Sequence, residues 1–278
     1  MKPPPFEYHA PATVEEALQL LAGGNGTYAL AGGQSLVQLM KFRHVKPSAL
    51  VDLNGVSGLD LLEEREGELH VGALVRQQRL LEDELVANGW PLLREAARFV
   101  GYKETRRRGT VGGSLAFAAP WAELTAAAVA LDAAIDVRSP NGERTIPARS
   151  FFRGPNATAL EPGELIVCVR FPAPPARSGA AFHEVSARYR DYCQVAAAAV
   201  VSLDGTAELV LLRVAETPYH VDASAALEDE GALEGLLASI EPEDDIEVSA
   251  LYRRRVAPVL ARRALREAAE RARQKEKT

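Results

Sequence analysis

The chain has 278 residues, of which 47% are hydrophobic and 25% charged, a balance typical of globular proteins rather than disordered or membrane-spanning ones. Its net charge of -6 argues against nucleic acid as a main partner. No apolar run reaches the roughly 18 residues of a membrane helix, and residues 1–10 carry three prolines and two charges where a signal peptide needs an apolar stretch. We therefore expect a cytoplasmic protein without a membrane span.

The metal-binding residue types are sparse. Cys168 and Cys193 are the only two cysteines, and the five histidines form no metal-binding spacing. An iron–sulfur cluster or a structural zinc site normally takes about four ligands. Any metal centre used with this chain is therefore expected on another chain.

The first part of the chain alternates helical and strand patterns. Thr13, followed three residues later by Glu16, predicts a capped helix over residues 13–21. Apolar runs predict strands over residues 28–31, 49–53, 68–73 and 134–138, the last followed by a turn at residues 140–142. Helical periodicity predicts a helix over residues 90–100 and a buried helix over residues 125–131.

The second part begins after a predicted strand over residues 164–171. Residues 172–179, rich in Pro, Arg and small residues, are the predicted linker between two domains. Beyond the linker we expect strands over residues 181–188, 194–203 and 207–214, with a tight turn at Asp204-Gly205 between the last two. Helices are expected around Ala223 and over residues 231–239 and 248–273.

The C-terminal segment is basic on an otherwise acidic chain. Residues 253–278 carry ten Lys and Arg against three acidic residues, a net charge of about +7, which leaves about -13 for the rest. This composition favours a solvated helix, with a contact to another subunit as the alternative.

Two segments place a Gly-Gly pair and a small hydroxyl residue before a helix: residues 30–40 (LAGGQSLVQLM) and 110–124 (TVGGSLAFAAPWAEL), each expected to follow an apolar strand. Glycine permits positive φ and lets a ligand lie on the backbone, so that successive N–H groups converge on an anion. Ser35, Thr110 and Ser114 add hydroxyl donors. The pattern suits a pyrophosphate, whereas a single copy would be interpreted as an ordinary tight turn.

Neither glycine segment has the spacing GxGxxG or GxxxxGK[ST], which disfavours a Rossmann dinucleotide site and a P-loop. The remaining interpretation is a dinucleotide that is held by two glycine turns of another type. Neither segment contains His or Cys, so we expect the ligand to be bound without a covalent link.

Residues 31–43 (AGGQSLVQLMKFR) and 108–124 (RGTVGGSLAFAAPWAEL) resemble the two FAD-binding signatures of the flavin subunit of molybdenum hydroxylases, the class that includes carbon monoxide dehydrogenase and xanthine dehydrogenase. Shorter matches, each weak alone, follow in the family's order: VDL at 51–53, VGAL at 71–74, ELIVCVRFP at 164–172, RDYCQVAAAA at 190–199 and YRRR at 252–255. The likeness thus extends over nearly the whole chain.

The resemblance implies an α+β fold. A p-cresol-methylhydroxylase-like FAD-binding domain of two α/β subdomains is expected over residues 1–173, with the subdomains over about 1–56 and 57–173. A C-terminal domain with a three-stranded antiparallel sheet and helices is expected over residues 180–278.

Carried over by position, the resemblance also implies the cofactor contacts. The pyrophosphate and neighbouring groups are expected against Leu30, Ala31, Gly32, Gly33, Gln34, Ser35, Leu36, Thr110, Val111, Gly112, Gly113 and Ser114. Glu123 stands where the family usually has Asp and would accept from ribose hydroxyls; Ile166 would lie near the flavin ring system, and Tyr192 would cover one flavin face. The alternatives are a surface charge for Glu123, a buried strand residue for Ile166 and an ordinary strand tyrosine for Tyr192. No catalytic residue and no metal ligand is expected on this chain.

Three departures from the family pattern are present. Ser114 stands where Asn is usual, which shortens the reach of a donor, and Val75 stands where Thr is frequent. His183 and Glu184 occupy the segment in which the family has a Lys. A Lys near the flavin would stabilise negative charge on the reduced ring. Its absence is therefore expected to affect the redox properties of the flavin rather than the binding of FAD.

Three functions are compatible with these observations. The resemblance implies a FAD-binding electron-transfer subunit that passes electrons from 2Fe–2S clusters of a small partner subunit to an external acceptor, with a molybdenum cofactor on a large subunit and a dimer of heterotrimers as the assembly. The alternative is a free-standing, non-covalent FAD oxidoreductase, which would need a substrate pocket with a general base that no motif here supplies. The third, an assembly module that has lost FAD, conflicts with the intact glycine turns. The resemblance further implies that the molybdenum subunit recognises the substrate and that the final acceptor is oxygen, NAD or a quinone.

Overall fold

The computed structural model describes residues 2–276, which form an α+β structure. Its strands are β1 Glu7–His9, β2 Thr27–Leu30, β3 Ala49–Asp52, β4 Leu62–Arg65, β5 Glu68–Gly72, β6 Ala134–Ser139, β7 Gly142–Pro147, β8 Phe152–Gly154, β9 Ala157–Thr158, β10 Leu165–Pro172, β11 Ser178–Ser186, β12 Cys193–Ser202, β13 Ala207–Leu212 and β14 Tyr219–Asp222. Its helices are α1 Val14–Ala22, α2 Leu36–Lys41, α3 Gln77–Glu82, α4 Glu84–Gly89, α5 Pro91–Phe99, α6 Lys103–Arg108, α7 Val111–Phe117, α8 Glu123–Ala130, α9 Ala148–Phe151, α10 Glu230–Leu236 and α11 Ala250–Lys275, with short 3-10 helices at Leu53–Gly55 and Ser224–Leu227. None of the helices within the described range combines the length and apolar character needed to cross a lipid bilayer.

The N-terminal region is a parallel three-stranded sheet in the order β1-β3-β2, with α1 packed on it. The predicted cap of α1 is confirmed: the N–H of Glu16 donates to Oγ1 of Thr13 at 3.2 Å. The Glu16 carboxylate in turn accepts from the N–H of Ala12 at 2.9 Å. Leu18 and Val51 then join helix and sheet in a small core.

The middle region is an antiparallel five-stranded sheet in the order β4-β5-β10-β6-β7. The predicted turn after β6 is confirmed as a hairpin that pairs Ser139 with Gly142. All eight residues of α8 are buried, which agrees with the prediction of a buried helix and explains why this segment shows no polar face. The central strand β10 packs beneath α7 and thereby supports the second glycine segment.

The C-terminal sheet is antiparallel, as expected, but has four strands in the order β11-β12-β13-β14 rather than the three that were predicted. The missed strand β14 has four residues, Tyr219–Asp222, all at least partly exposed. Its residues alternate apolar and polar, Tyr219 and Val221 packing toward the core, but four residues are the shortest run that can show this pattern, so the sequence signal is weak. The predicted turn at Asp204-Gly205 is confirmed, with Gly205 at φ +94°.

Both faces of the C-terminal sheet are covered, and all ten residues of β12 are buried. One face shares an apolar cluster with the middle region, where the rings of Phe99 and Phe182 lie 5.3 Å apart. The other face packs against α11 through small residues such as Ala261 and Ala264. The proposed linker therefore joins two sheets that are held together by a common core.

Helix α11 confirms the predicted C-terminal helix, and much of its positive charge is used internally. The buried Arg253 pairs with Asp245, and Arg271 contacts Glu95 at 2.5 Å. These pairs join α11 to the loop that precedes it and to α5, and they leave less of the basic segment available for a partner than its composition suggests.

Candidate functional site

The first glycine segment turns directly from β2 into α2. Gly33 adopts a φ of +72°, the left-handed conformation that favours glycine. Within residues 2–276, the N–H groups of residues 32–35 donate to no protein acceptor. Ser35 is the N-cap residue of α2, but its hydroxyl forms no capping hydrogen bond with the helix. This turn therefore offers four backbone donors and one hydroxyl to a ligand.

The second glycine segment differs from the expected strand–turn–helix pattern. No strand precedes it; instead Thr110 caps α7, and Gly112 and Gly113 lie in the first helical turn without positive φ. The N–H of Gly112 donates to the carbonyl of Ala73 at 2.9 Å, and that of Gly113 donates to Oγ1 of Thr110 at 3.1 Å. The expectation that successive backbone donors converge is thus wrong for Gly112 and Gly113, whereas Thr110 keeps its N–H and the hydroxyls of Thr110 and Ser114 can also donate to a ligand.

The glycines of the second segment are required by close packing rather than by backbone conformation. A β-carbon on Gly112 would lie 2.6 Å from the β-carbon of Ala73. One on Gly113 would lie 2.7 Å from Oγ1 of Thr110 and 3.8 Å from the β-carbon of Ala31. The short distance to Ala31, and that from Gly32 to the carbonyl of Arg108, show that the two glycine segments lie side by side.

A second cluster lies where α8 meets the C-terminal sheet. Glu123 is the first residue of α8 and only 7% exposed, and this burial raises the pKa of its carboxyl well above the ordinary range. Glu184 on β11 behaves similarly: burial, and then the negative charge of Glu123, raise its carboxyl pKa. One carboxyl oxygen of Glu184 is buried without a hydrogen-bond partner in the part of the chain that the structure describes. The two carboxyls are therefore protonated more readily than surface carboxyls, and a hydrogen-bonding ligand would satisfy them.

Aromatic side chains border this carboxyl pair. The ring of Tyr192, which is 60% exposed, lies 4.9 Å from the ring of Trp121. The Arg213 guanidinium lies 5.8 Å from the centre of the Trp121 ring. Tyr192 is thus held at the surface against the loop between α7 and α8, an arrangement that is compatible with stacking on a planar ligand.

The remaining predicted contacts are less accessible. Ile166 is 3% exposed and packs in the core of the middle region with Val111, as a buried strand residue does. Leu30 and Leu36 are half-buried at the two ends of the first glycine turn. Sequence reasoning did not identify Glu184 as a member of the Glu123 cluster, because the two residues are far apart in the chain and no local pattern relates them.

The arrangement has the chemistry of a dinucleotide site. The first turn has free donors that suit an anionic group, Glu123 has a carboxyl that can form hydrogen bonds with hydroxyl groups, and Tyr192 has an exposed aromatic face. Among the described residues, no three His, Cys, Asp or Glu side chains are grouped to hold a metal ion.

The chain is similar to known proteins over almost its whole length. Residues 4–174 match the family described as the FAD binding domain in molybdopterin dehydrogenase. The 6-hydroxypseudooxynicotine dehydrogenase complex subunit alpha of Paenarthrobacter nicotinovorans is 38% identical over 98% of this chain and 97% of its own length. The carbon monoxide dehydrogenase medium chain of Afipia carboxidovorans is 34% identical over 98% of this chain and 99% of its own. Among solved structures, a carbon monoxide dehydrogenase from Hydrogenophaga pseudoflava, which lacks the Mo-pyranopterin moiety of its molybdenum cofactor, matches with a TM-score of 0.91 and 34% identity over 98% of this chain and 99% of that chain.

Proposed function

Because the chain belongs to the family of FAD-binding domains of molybdopterin dehydrogenases, we propose that it is the electron-transfer subunit of a molybdenum hydroxylase complex. It would receive electrons from iron–sulfur clusters of a partner subunit and pass them to an external acceptor. When bound, FAD supplies the redox chemistry for this transfer. The residues of this chain bind and orient the cofactor.

The observation that carries the proposal is the contact between the two glycine segments. The free N–H groups of residues 32–35 would hold the diphosphate, with Thr110 and Ser114 adding hydroxyl donors. Glu123 would accept from a ribose hydroxyl, and Tyr192 would lie against the flavin. Ile166 would support this region from the core rather than through a direct side-chain contact.

We place the metal centres on partner subunits: a molybdenum cofactor on a large subunit and 2Fe–2S clusters on a small one, assembled as a dimer of heterotrimers in the cytoplasm. The names of the relatives support this distribution of cofactors over several subunits, since one relative is named as the subunit alpha of a complex and the other as a medium chain. Those two relatives are named for different substrates, carbon monoxide and 6-hydroxypseudooxynicotine, at similar identity to this chain. The substrate is therefore expected to be selected by the molybdenum subunit.

A free-standing FAD oxidoreductase is the alternative function. It would oxidise an organic substrate at its own flavin, whereas the proposed subunit would hold FAD yet depend on its partners for electrons. The subunit is favoured because two relatives that align over almost the whole of this chain are named as the subunit alpha of a complex and as a medium chain.

The test is to purify the full chain alone, load it with FAD and assay it with purines, aldehydes, heteroaromatic compounds and carbon monoxide. We expect stoichiometric FAD, reduction by an artificial donor, and no turnover of these substrates. Sustained turnover by the lone chain would establish the free-standing oxidoreductase instead. Failure to bind FAD would contradict both functions.

A further inference from the structure

Arg76 joins the second glycine segment to the region beside the first. It lies between β5 and α3, and its guanidinium Nη1 donates to the carbonyl of Arg108 at 2.5 Å. Its other terminal nitrogen, Nη2, donates to Oδ1 of Asn54 at 2.6 Å. A planar guanidinium presents these two donors in a fixed relative orientation, which a Lys ammonium on a flexible stem does not.

Asn54 completes the connection to the first segment. Its Nδ2 donates to the carbonyl of Ala31 at 3.0 Å, and its backbone N–H donates to Oδ1 of Asp52 at 3.0 Å. Asp52 is held in turn by the hydroxyl of Tyr8, which donates to its second carboxylate oxygen. A continuous chain of hydrogen bonds therefore runs from Ala31 through Asn54 and Arg76 to Arg108.

The two carbonyls held by this chain border the proposed diphosphate site. The carbonyl of Ala31 and the N–H of Gly32 belong to one planar trans peptide and point in opposite directions. A bond from Asn54 to that carbonyl consequently fixes the direction of the free Gly32 N–H. At the other end, Arg76 holds the carbonyl of Arg108, the same group against which Gly32 packs.

We propose that Arg76 and Asn54 are positioning residues that hold the two cofactor segments at the spacing and orientation needed to bind the FAD diphosphate. The inference rests on the proposed function. Neither residue needs to touch the cofactor, because each acts through a main-chain carbonyl of a glycine segment. Burial and the nearby positive charge of Arg108 lower the pKa of the Arg76 guanidinium, which nevertheless stays protonated at neutral pH.

The experiment compares Arg76→Lys and Asn54→Ala with a matched control, Arg79→Lys, in the full chain. Arg79 lies on α3 one turn from Arg76 and donates to the carbonyl of Asp60 at 3.0 Å, but this bond reaches neither glycine segment. For each protein, the Kd for FAD is measured by titration, and the Tm is measured without FAD and with saturating FAD. The double variant of Arg76 and Asn54 is measured in the same way.

We expect Arg76→Lys and Asn54→Ala to weaken FAD binding about tenfold, with a smaller FAD-induced rise in Tm, while their Tm without FAD stays within about 2 °C of the control. The double variant should bind about as weakly as the weaker single variant, because both changes interrupt one chain of bonds. An unchanged Kd, or a fall in the Tm without FAD that accounts for the weaker binding, would overturn the inference. Wild-type protein that fails to bind FAD would instead refute the proposed function, and the inference with it.

Discussion

Gly32 packs directly on the carbonyl oxygen of Arg108, so that a β-carbon at this position would lie 2.1 Å from that oxygen. The backbone on both sides of this contact is fixed by hydrogen bonds, at the carbonyl of Ala31 next to Gly32 and at the carbonyl of Arg108. Neither backbone can move aside as the end of a flexible side chain can. Any residue other than glycine must therefore separate the two segments that form the proposed diphosphate site.

The replacement Gly32→Ala should weaken FAD binding at least tenfold, because one added methyl group forces the segments apart. The Kd from a flavin titration measures the effect. Gly89→Ala is the control, since a β-carbon there has no neighbour within 4 Å and the φ is not positive. Equal FAD affinity in the two variants would contradict the assignment of this contact to the cofactor site.

The replacement Gly33→Val tests the effect of backbone strain, whereas Gly32→Ala tests the effect of steric crowding. A β-branched residue is strained at the observed φ of +72°, so the turn should change conformation and its N–H groups should no longer converge. Gly58→Val carries the same kind of strain at φ +81°, but in open space outside the site. Both variants should lose stability, by about 1–3 kcal/mol, and Gly33→Val alone should lose FAD. Retention of full flavin by Gly33→Val would rule out the pyrophosphate assignment.

The Glu123–Glu184 pair predicts a pH-dependent stability of the chain without FAD. Burial raises the pKa of both carboxyls above their unfolded values, so the folded state binds more protons. Their contribution to stability is complete below the unfolded pKa of about 4.3 and is lost as the pH rises through the folded values. The Tm should accordingly fall from about pH 5, just above the unfolded pKa, to about pH 9, and fall less in Glu184→Gln.

Glu241→Gln, which removes an exposed carboxyl instead, is the control for this comparison. It should reproduce the wild-type dependence of Tm on pH. The buried-pair interpretation would be wrong if Glu184→Gln and Glu241→Gln gave the same curve.

FAD should be released completely by acid precipitation. Neither glycine segment contains a His or Cys to form a covalent link, and the two thiols are poorly reactive because burial raises their pKa, that of Cys168 to about 11. Absorbance of the supernatant and of the redissolved pellet at the flavin wavelength measures the partition. Colour that remains with the pellet would contradict this prediction.

Much of the fold follows from local sequence patterns. The cap formed by Thr13, the hairpin after β6 and the entirely buried helix α8 were predicted from spacing and composition, and the structure confirms them. The strand β14 was missed because its four residues form a partly exposed edge that long-range pairing with β13, rather than local propensity, stabilises.

The candidate site was only partly predictable for the same reason. The positive φ of Gly33 agrees with what a Gly-Gly turn suggests, whereas Gly112 and Gly113 are helical and are needed for close packing, which depends on Ala73 and Thr110. Nor does any local pattern relate Arg76 to Asn54, or Glu123 to Glu184. These pairs are created by tertiary structure, and sequence periodicity does not report on them.

The fully buried strand β12 determines what cleavage of the chain between β10 and β11 would do. Because Ala196 and Ala198 face the middle region while Ala197 and Ala199 face α11, neither half of the chain can expose its side of this strand to water at low cost. The segment connects the two regions along the chain, but it does not separate two independently stable units, because the regions share an apolar core. A protease that cut there would leave a nicked protein whose two fragments stay associated, and a gene that encoded either fragment alone would yield an aggregation-prone product.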